Sequence, residues 1–398
     1  MKDLGQALAG NGDMLMLGGG NPAHIPEVQH VIHDSIRNIL DDEAKFKRAI
    51  GDYDPPVGNI EFAAELSSML NEEFGWDIGP ENIALTNGSQ SAFFILFNLF
   101  AGKTEDGTKK KILFPLSPEY IGYADTGIED NIFTSIKPNI EYIDDMIFKY
   151  HIDFDSIGIT DDIGAICVSR PTNPTGNVLT DEEIQKLNTL ANDNDIPLII
   201  DNAYGTPFPD IIFTEAKPVW DKNTIVCMSL SKFGLPALRT GIVIANPKIV
   251  SLVSEMNAVM CLAPGGLGPA IATEIVKDGK LTDISREIIR PFYAEKAKYA
   301  LNVLKEELAG TDCMIHKPEG AIFFWLWMKN APITDIRLYD RLKRRNVIVV
   351  PGSYFFPGLQ EKWPHKNECI RINYSRDKDT MTMGLKIIAE EIKKAYAK

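Results

Sequence analysis

A lysine, an aspartate, an asparagine and an arginine follow one another in an order that suggests chemistry. Arg170-Pro171-Thr172-Asn173-Pro174-Thr175-Gly176 comes first, then Asp201-Asn202-Ala203-Tyr204, then Met228-Ser229-Leu230-Ser231-Lys232-Phe233-Gly234-Leu235-Pro236-Ala237-Leu238-Arg239. A lysine after a hydroxyl-rich strand end can form a Schiff base with an aldehyde. Ser229, Ser231 and the forked guanidinium of Arg239 can share a phosphate. Asp201 ends an apolar run and needs a cationic partner; a protonated pyridine nitrogen is one, and that pairing makes the ring an electron sink. Tyr204 can hydrogen-bond the ring oxygen. Lysine capture, phosphate grip and ring protonation are together what pyridoxal phosphate asks of a protein. Any single member is commonplace, and a helix cap or salt bridge accounts for Asp201 equally well. The ordered set carries the information.

Other segments add to it. In Asn87-Gly88-Ser89-Gln90-Ser91-Ala92 the glycine permits a tight turn. The first N–H groups of the helix behind it can then cradle a phosphate; taken alone, this is an ordinary Asn-Gly turn with a serine cap. Tyr120, in Pro118-Glu119-Tyr120-Ile121-Gly122-Tyr123, can stack on a flat ring or can be a plain core or surface tyrosine. Asn173 lies in a turn punctuated by Pro and Gly, and its amide can donate to a ring oxygen. Arg371 interrupts the apolar run Cys369-Ile370-Arg371-Ile372-Asn373-Tyr374. A guanidinium there demands an anion, either a substrate carboxylate held bidentately or an internal Asp or Glu.

Elements that position these residues are legible as well. Lys111–Pro115, Ala165–Ser169, Pro197–Asp201, Ile225–Ser229 and Ile242–Ala245 are short, apolar and rich in β-branched residues. Such runs predict buried strands of a mostly parallel sheet. Thr180-Asp181-Glu182-Glu183 is a capping box that predicts a helix through about Asn194. The C-terminal third predicts an α+β unit: a helix over about 282–309, strands at Ala321–Trp327, Val347–Val350 and Cys369–Asn373, and helices near 334–344 and 378–396. The expected division is a large domain over 45–285 and a small domain made of 1–44 and 286–398. Asn173, Asp201 and Ser229 each fall at or just past a strand's carboxyl end, where ligand sites of open α/β sheets lie.

Bulk properties bound the function. The 398 residues carry 44% apolar and 24% charged side chains, the balance of a soluble globular protein. A net charge of −14 argues against a nucleic-acid partner. Lys109-Lys110-Lys111 and Lys343-Arg344-Arg345 read as solvated element ends. The five cysteines form no CxxC pair, so neither a disulfide frame nor a metal site is expected, and the compartment reads as cytoplasmic. Met1-Lys2-Asp3-Leu4 opens no apolar leader, and no run is long enough to predict a membrane span.

With these residues laid out, the whole chain resembles the fold-type-I pyridoxal-phosphate aminotransferases, and within them the branch acting on valine and pyruvate. Gly18–Ala23, Leu85–Phe94, Phe114–Tyr123, Ser169–Asn177 and Lys317–Phe323 carry the similarity, which runs nearly end to end. The resemblance implies an α/β fold with a large domain built on a mostly parallel seven-stranded sheet, plus a smaller α+β domain. It implies transamination of L-valine and pyruvate to 3-methyl-2-oxobutanoate and L-alanine, through an internal aldimine at Lys232 and a 1,3-proton shift. Lys232, Asp201 and Tyr204 would be catalytic. Gly88, Ser89, Gln90, Ser229, Ser231 and Arg239 would surround the phosphate. Tyr120 would stack on the ring, and Asn173 and Tyr204 would flank its oxygen. Arg371, with Gly20 and Asn173, would take the substrate α-carboxylate. Tyr53 matches a tyrosine that reaches the phosphate across a homodimer interface. Substrates would be amino acids and 2-keto acids.

Two departures stand out. Arg170 occupies a position where a small polar residue is usual, and Arg239 follows Lys232 one residue sooner than in many relatives. Rivals on the same fold are a carbon–sulfur lyase, a decarboxylase and an aminotransferase of broad specificity, all using the same lysine. A cofactor-binding transcription regulator would need an added basic module, which the acidic composition does not suggest. A non-catalytic α/β protein would require every motif to be coincidence.

Overall fold

The computed structural model describes residues 14–397. Residues 1–13 of the expected small domain, and the reading that Met1–Leu4 opens no leader, lie outside them.

The apolar runs form the central sheet. Eight strands pair, with Ile83–Thr86 at one edge, followed by Gly241–Ile244, Thr224–Ser229, Leu198–Asp201, Ile163–Ser169 and Lys109–Phe114. Phe133–Ser135 and Gly102–Lys103 also pair with Lys109–Phe114. The resemblance implied seven strands and eight are present; the runs read from the sequence left out Ile83–Thr86, Phe133–Ser135 and Gly102–Lys103, the last too short at two residues to show periodicity. Neighbours are parallel except for the edge strand Gly102–Lys103, antiparallel to Lys109–Phe114, and for Gly241–Ile244, which runs antiparallel to both its partners. That reversal matters: residues just before this strand reach the sheet end that residues just after the others reach. The strand interiors are buried on both faces, as continuous apolar runs require.

Thr180 caps Asp181–Asp193 as expected, its hydroxyl accepting from Glu183 N while Glu183 returns a bond to the Thr180 amide. The predicted helix over 282–309 is one continuous rod, Lys280–Leu308, with a π-helical turn at Ser285–Ile289. Asp335–Lys343 and Lys378–Tyr396 follow as expected. The run Val347–Val350 divides: Val347–Ile348 pairs with Leu15–Met16, while Val350–Pro351 pairs with Cys369–Asn373.

The second sheet has six strands, in the order Val350–Pro351, Cys369–Asn373, Phe323–Met328, Cys313–His316, Ile147–His151 and Asn139–Tyr142. Its last two strands form a hairpin from within the range 45–285. The hairpin is tied down by a buried ion pair between Lys149 and Glu319. Glu319 also accepts from Val178 N and Lys317. So the sheet of the C-terminal third borrows two strands from the middle of the chain. No helix among the described residues is long and apolar enough to cross a membrane.

Candidate active site

A cleft of about 890 Å³ opens where the carboxyl ends of the parallel strands converge. Twelve residues singled out from the sequence line it: Gly20, Ser89, Gln90, Tyr120, Asn173, Asp201, Tyr204, Ser229, Ser231, Lys232, Arg239 and Arg371. Gly88 lies just behind, and Tyr53 lies outside, 84% exposed.

The topology explains the convergence. Ser229 and Asp201 end adjacent strands, and Asn173 lies four residues past Ser169, the end of a third. Ser89 begins a helix directly after Ile83–Thr86. Arg239 precedes Gly241–Ile244, the reversed strand, and so arrives at the same end.

One corner is shaped for a phosphate. Gly88 caps the helix Ser89–Phe100 at φ 86°, a conformation open to glycine. The helix start leaves N–H groups with no carbonyl partner in the helix, and these form an anion site. Arg239 crosses in front of Gly88, and its Nη1 donates to Ser231 Oγ at 3.3 Å. Ser231 N in turn donates to Ser229 Oγ at 3.0 Å.

At the centre, Lys232 Nζ donates to Gly20 O at 2.6 Å and lies 5.4 Å from the Tyr204 ring centroid. Burial lowers this amine to about 8, helped by Arg371 and Arg239 and opposed by Asp201. Asp201 Oδ2 accepts from Tyr123 OH at 2.5 Å and Oδ1 accepts from Ala203 N at 3.0 Å. Burial raises the Asp201 carboxyl, while Tyr123, Ala203 N and Lys232 pull it down. An incoming cation beside it would complete that balance.

Opposite, Arg371 is buried and stacks 4.2 Å from the Phe323 ring centroid. Its Nη1 donates to Asn173 Oδ1 and its Nη2 to Gly18 O, both at 2.7 Å. Asn373 Nδ2 donates to Gly19 O at 2.7 Å, fixing the same N-terminal segment. Burial lowers the guanidinium to about 10. No carboxylate faces it, so the internal Asp or Glu that its apolar strand left open is not found among the described residues. Its Nε is buried without a hydrogen-bond partner there. A planar anion is the kind of acceptor such a fork takes.

Sequence reasoning missed Tyr123, Ser169 and Glu119. Tyr123 is packed by Phe93, Phe97 and Phe114, with ring centroids at 4.9, 5.1 and 5.6 Å. That packing aims its hydroxyl at Asp201. The available signal was a second tyrosine three residues after Tyr120. Arg170, whose role the sequence left open, turns away from the cleft: it donates to Leu179 O, Lys217 O and Asp181 Oδ1 at 2.7, 3.1 and 2.6 Å.

The donor set fits pyridoxal phosphate. There is an amine of lowered proton affinity, a carboxylate for the ring nitrogen, and a glycine cradle beside serines and an arginine for the phosphate. Comparisons with known proteins agree. Residues 13–388 match the family model for aminotransferase class I and II. The chain is 53% identical over 397 residues to valine–pyruvate aminotransferase of Escherichia coli K12, covering 100% of this chain and 95% of that one. The crystal structure of a valine–pyruvate aminotransferase from Salmonella typhimurium LT2 superposes with a TM-score of 0.92 at 51% identity, covering 100% and 99%. That of a putative amino-acid aminotransferase from Psychrobacter arcticum 273-4 gives 0.97 at 45% identity, covering 100% and 95%. With the family model spanning nearly its whole length, the chain belongs to the class I and II aminotransferases.

Proposed function

We propose that this chain moves the amino group of L-valine to pyruvate, yielding 3-methyl-2-oxobutanoate and L-alanine. The observation that carries the reading is the 53% identity with a valine–pyruvate aminotransferase over 397 residues. Pyridoxal 5′-phosphate is the cofactor; when bound, it supplies an aldehyde that captures amines and a ring that draws electrons from the reacting carbon.

The chain's own residues then divide the work. Lys232 would anchor the cofactor through its amine, and that amine, when free, would take the proton from the substrate α-carbon. Asp201 keeps the ring nitrogen protonated. Asn173 and Tyr204 flank the ring oxygen, and Tyr120 stacks on the ring. Gly88, Ser89, Gln90, Ser229, Ser231 and Arg239 hold the phosphate. Arg371, steadied by Asn173 and the Gly18–Gly20 segment, binds the α-carboxylate that donor and acceptor share.

Side-chain preference follows from charge. Lys232, Arg239 and Arg371 are the cations lining the cleft, and each already has a task. None is left for a side-chain carboxylate, so apolar side chains are favoured. One methylene is worth only about 1–3 kcal/mol in such a pocket. Alanine, 2-aminobutyrate and isoleucine should therefore also react.

The working assembly is a homodimer in which Tyr53 reaches the neighbour's phosphate. Its exposure, and that of Ile50, Val259 and Leu262, supports this. The free cysteines support a cytoplasmic protein. The domain division at 45–285 is kept, with the hairpin Asn139–His151 assigned to the small domain's sheet. A donor-by-acceptor panel on the purified protein tests the activity. Valine with pyruvate should give alanine; ammonia without alanine would point to a lyase instead.

A further inference from the structure

We propose that Glu119 is a positioning residue for Asp201, acting through Ser169 and Tyr123 without touching substrate or cofactor. The inference rests on the assignment of Asp201 to the cofactor nitrogen.

Glu119 is only 1% exposed, yet no cation lies within ion-pair distance among the described residues. A buried carboxyl in that situation is costly, so its partners tell what it is for. Two are backbone donors and the third is a hydroxyl that can give or take. Ser169 N gives to Oε1 at 2.9 Å, and Ser169 Oγ lies 2.6 Å from Oε2. Tyr120 N gives to Oε2 at 3.2 Å. Sheet register sets Ser169 beside Asp201 on the neighbouring strand. Tyr123 OH bridges the gap, 3.5 Å from Ser169 Oγ and 2.5 Å from Asp201 Oδ2. Four side chains thus form one row, Glu119, Ser169, Tyr123, Asp201, with its far end under the cleft floor.

The groups that face Glu119 in this packing are Asp201, Tyr120, Tyr123 and Cys167, all acids. Burial pushes Glu119 up to about 8, and Asp201 adds to it against the pull of Ser169. The direction of that shift favours the protonated form near neutral pH. Hydroxyl hydrogens rotate to suit their partners. A protonated Glu119 can donate through Oε2 to Ser169, Ser169 can donate toward Tyr123, and Tyr123 donates to Asp201. Every hydrogen in the row then points toward Asp201, which only accepts. That arrangement favours an ionised Asp201, ready to pair with a protonated ring nitrogen, and fixes the rotamer of its carboxylate. An ionised Glu119 would reverse the first link and add a second negative charge to the row.

The test uses the full-length protein and pyridoxal 5′-phosphate itself. Cofactor dissociation constants and the pH midpoint of the visible band are measured for wild type, Glu119→Ala, Glu119→Gln, Tyr123→Phe and the Glu119→Ala/Tyr123→Phe pair. Glu119→Ala should weaken cofactor binding by about tenfold and move the midpoint by about half a pH unit or more. Glu119→Gln, a neutral group of the same shape, should return binding to within about threefold of wild type. The double variant should add little to Tyr123→Phe, since both cut one row. Unchanged binding and midpoint in Glu119→Ala would overturn the proposal, as would fully additive losses in the pair or a Gln variant no better than Ala. Should Glu119→Ala fail to fold, Ser169→Ala breaks the same row and carries the same expectations. A wild-type protein that binds no cofactor would instead sink the reading of the site itself.

Discussion

A Cβ on Gly88 would collide with the guanidinium of Arg239, standing 2.8 Å from its Cζ. The arginine can cross the start of the helix only because that residue has no side chain. The φ of 86° at the same residue adds a second cost to any replacement. Gly88→Ala should push Arg239 off the phosphate corner. Losing a charge-assisted contact of about 1.5–3 kcal/mol corresponds to a fall in cofactor affinity of about 10- to 100-fold. Fluorescence titration with pyridoxal 5′-phosphate checks this, and an unchanged constant would remove Arg239 from the phosphate site.

The lowered amine of Lys232 predicts a pH profile. Its value in the folded protein, about 8, lies below the ordinary lysine range. The neutral, nucleophilic form therefore prevails above about pH 8. Capture of the cofactor aldehyde, followed by stopped-flow absorbance, should quicken as pH rises through that value and then level off. The stability sign follows from the same shift. Between about 8 and the ordinary value the unfolded chain holds the proton and the folded chain does not, so this group's contribution improves as pH rises through that window. Lys232→Ala should abolish the visible band and cut turnover at least 10²- to 10⁴-fold.

Arg371→Lys retains charge but not the planar fork. The single ammonium cannot hold Asn173 and Gly18 as the fork does and also grip a substrate carboxylate. We expect KM for both valine and pyruvate to rise by about tenfold or more, while cofactor affinity moves far less. Steady-state kinetics separates the two, and an effect on only one substrate would contradict a shared carboxylate site.

Glu119 carries a stability signature of its own. Its folded value lies well above the ordinary carboxyl range. The stability it contributes is full below about pH 4.5 and is lost as pH rises through about 8. Glu119→Gln removes that loss, so the Tm of the variant should fall less steeply than wild type between pH 5 and 8. Parallel Tm curves would contradict a buried, protonated Glu119.

Arg170 should behave as a scaffold residue. Its three contacts hold the segment Leu179–Asp181 and Lys217, away from the cleft. Arg170→Ala leaves the buried Leu179 carbonyl without its donor and should cost about 1–3 kcal/mol, visible as a lower Tm. Cofactor affinity should stay within about threefold of wild type.

Much of the cleft was legible because its residues sit next to strong local signals. Lys232, Asp201 and Asn173 follow apolar runs whose ends are plain in the sequence, and Gly88 precedes an unmistakable helix. The capping box at Thr180 and the helix Lys378–Tyr396 were legible for the same reason: caps and periodicity are short-range. What stayed hidden depends on pairing across distance. Tyr123 acquires meaning only from Asp201, 78 residues away. Arg170 is explained by a partner on the next helix, and Glu119 by a serine across the sheet. The reversed direction of Gly241–Ile244, which brings Arg239 to the cleft, leaves no mark in composition. Nor does the membership of Asn139–His151 in the second sheet, since a strand's own residues do not name its neighbour.

That borrowed hairpin has a practical consequence for anyone dividing the chain. A fragment begun at residue 286 would keep four of the six strands of its sheet and leave Cys313–His316 as a bare edge. Unpaired N–H and C=O groups along such an edge recruit other chains. Glu319 would lose Lys149, its buried counter-charge, at the same cut. Expressed alone, the C-terminal third should clump and precipitate, whereas co-expression with a piece carrying residues 139–151 should rescue it into the soluble fraction.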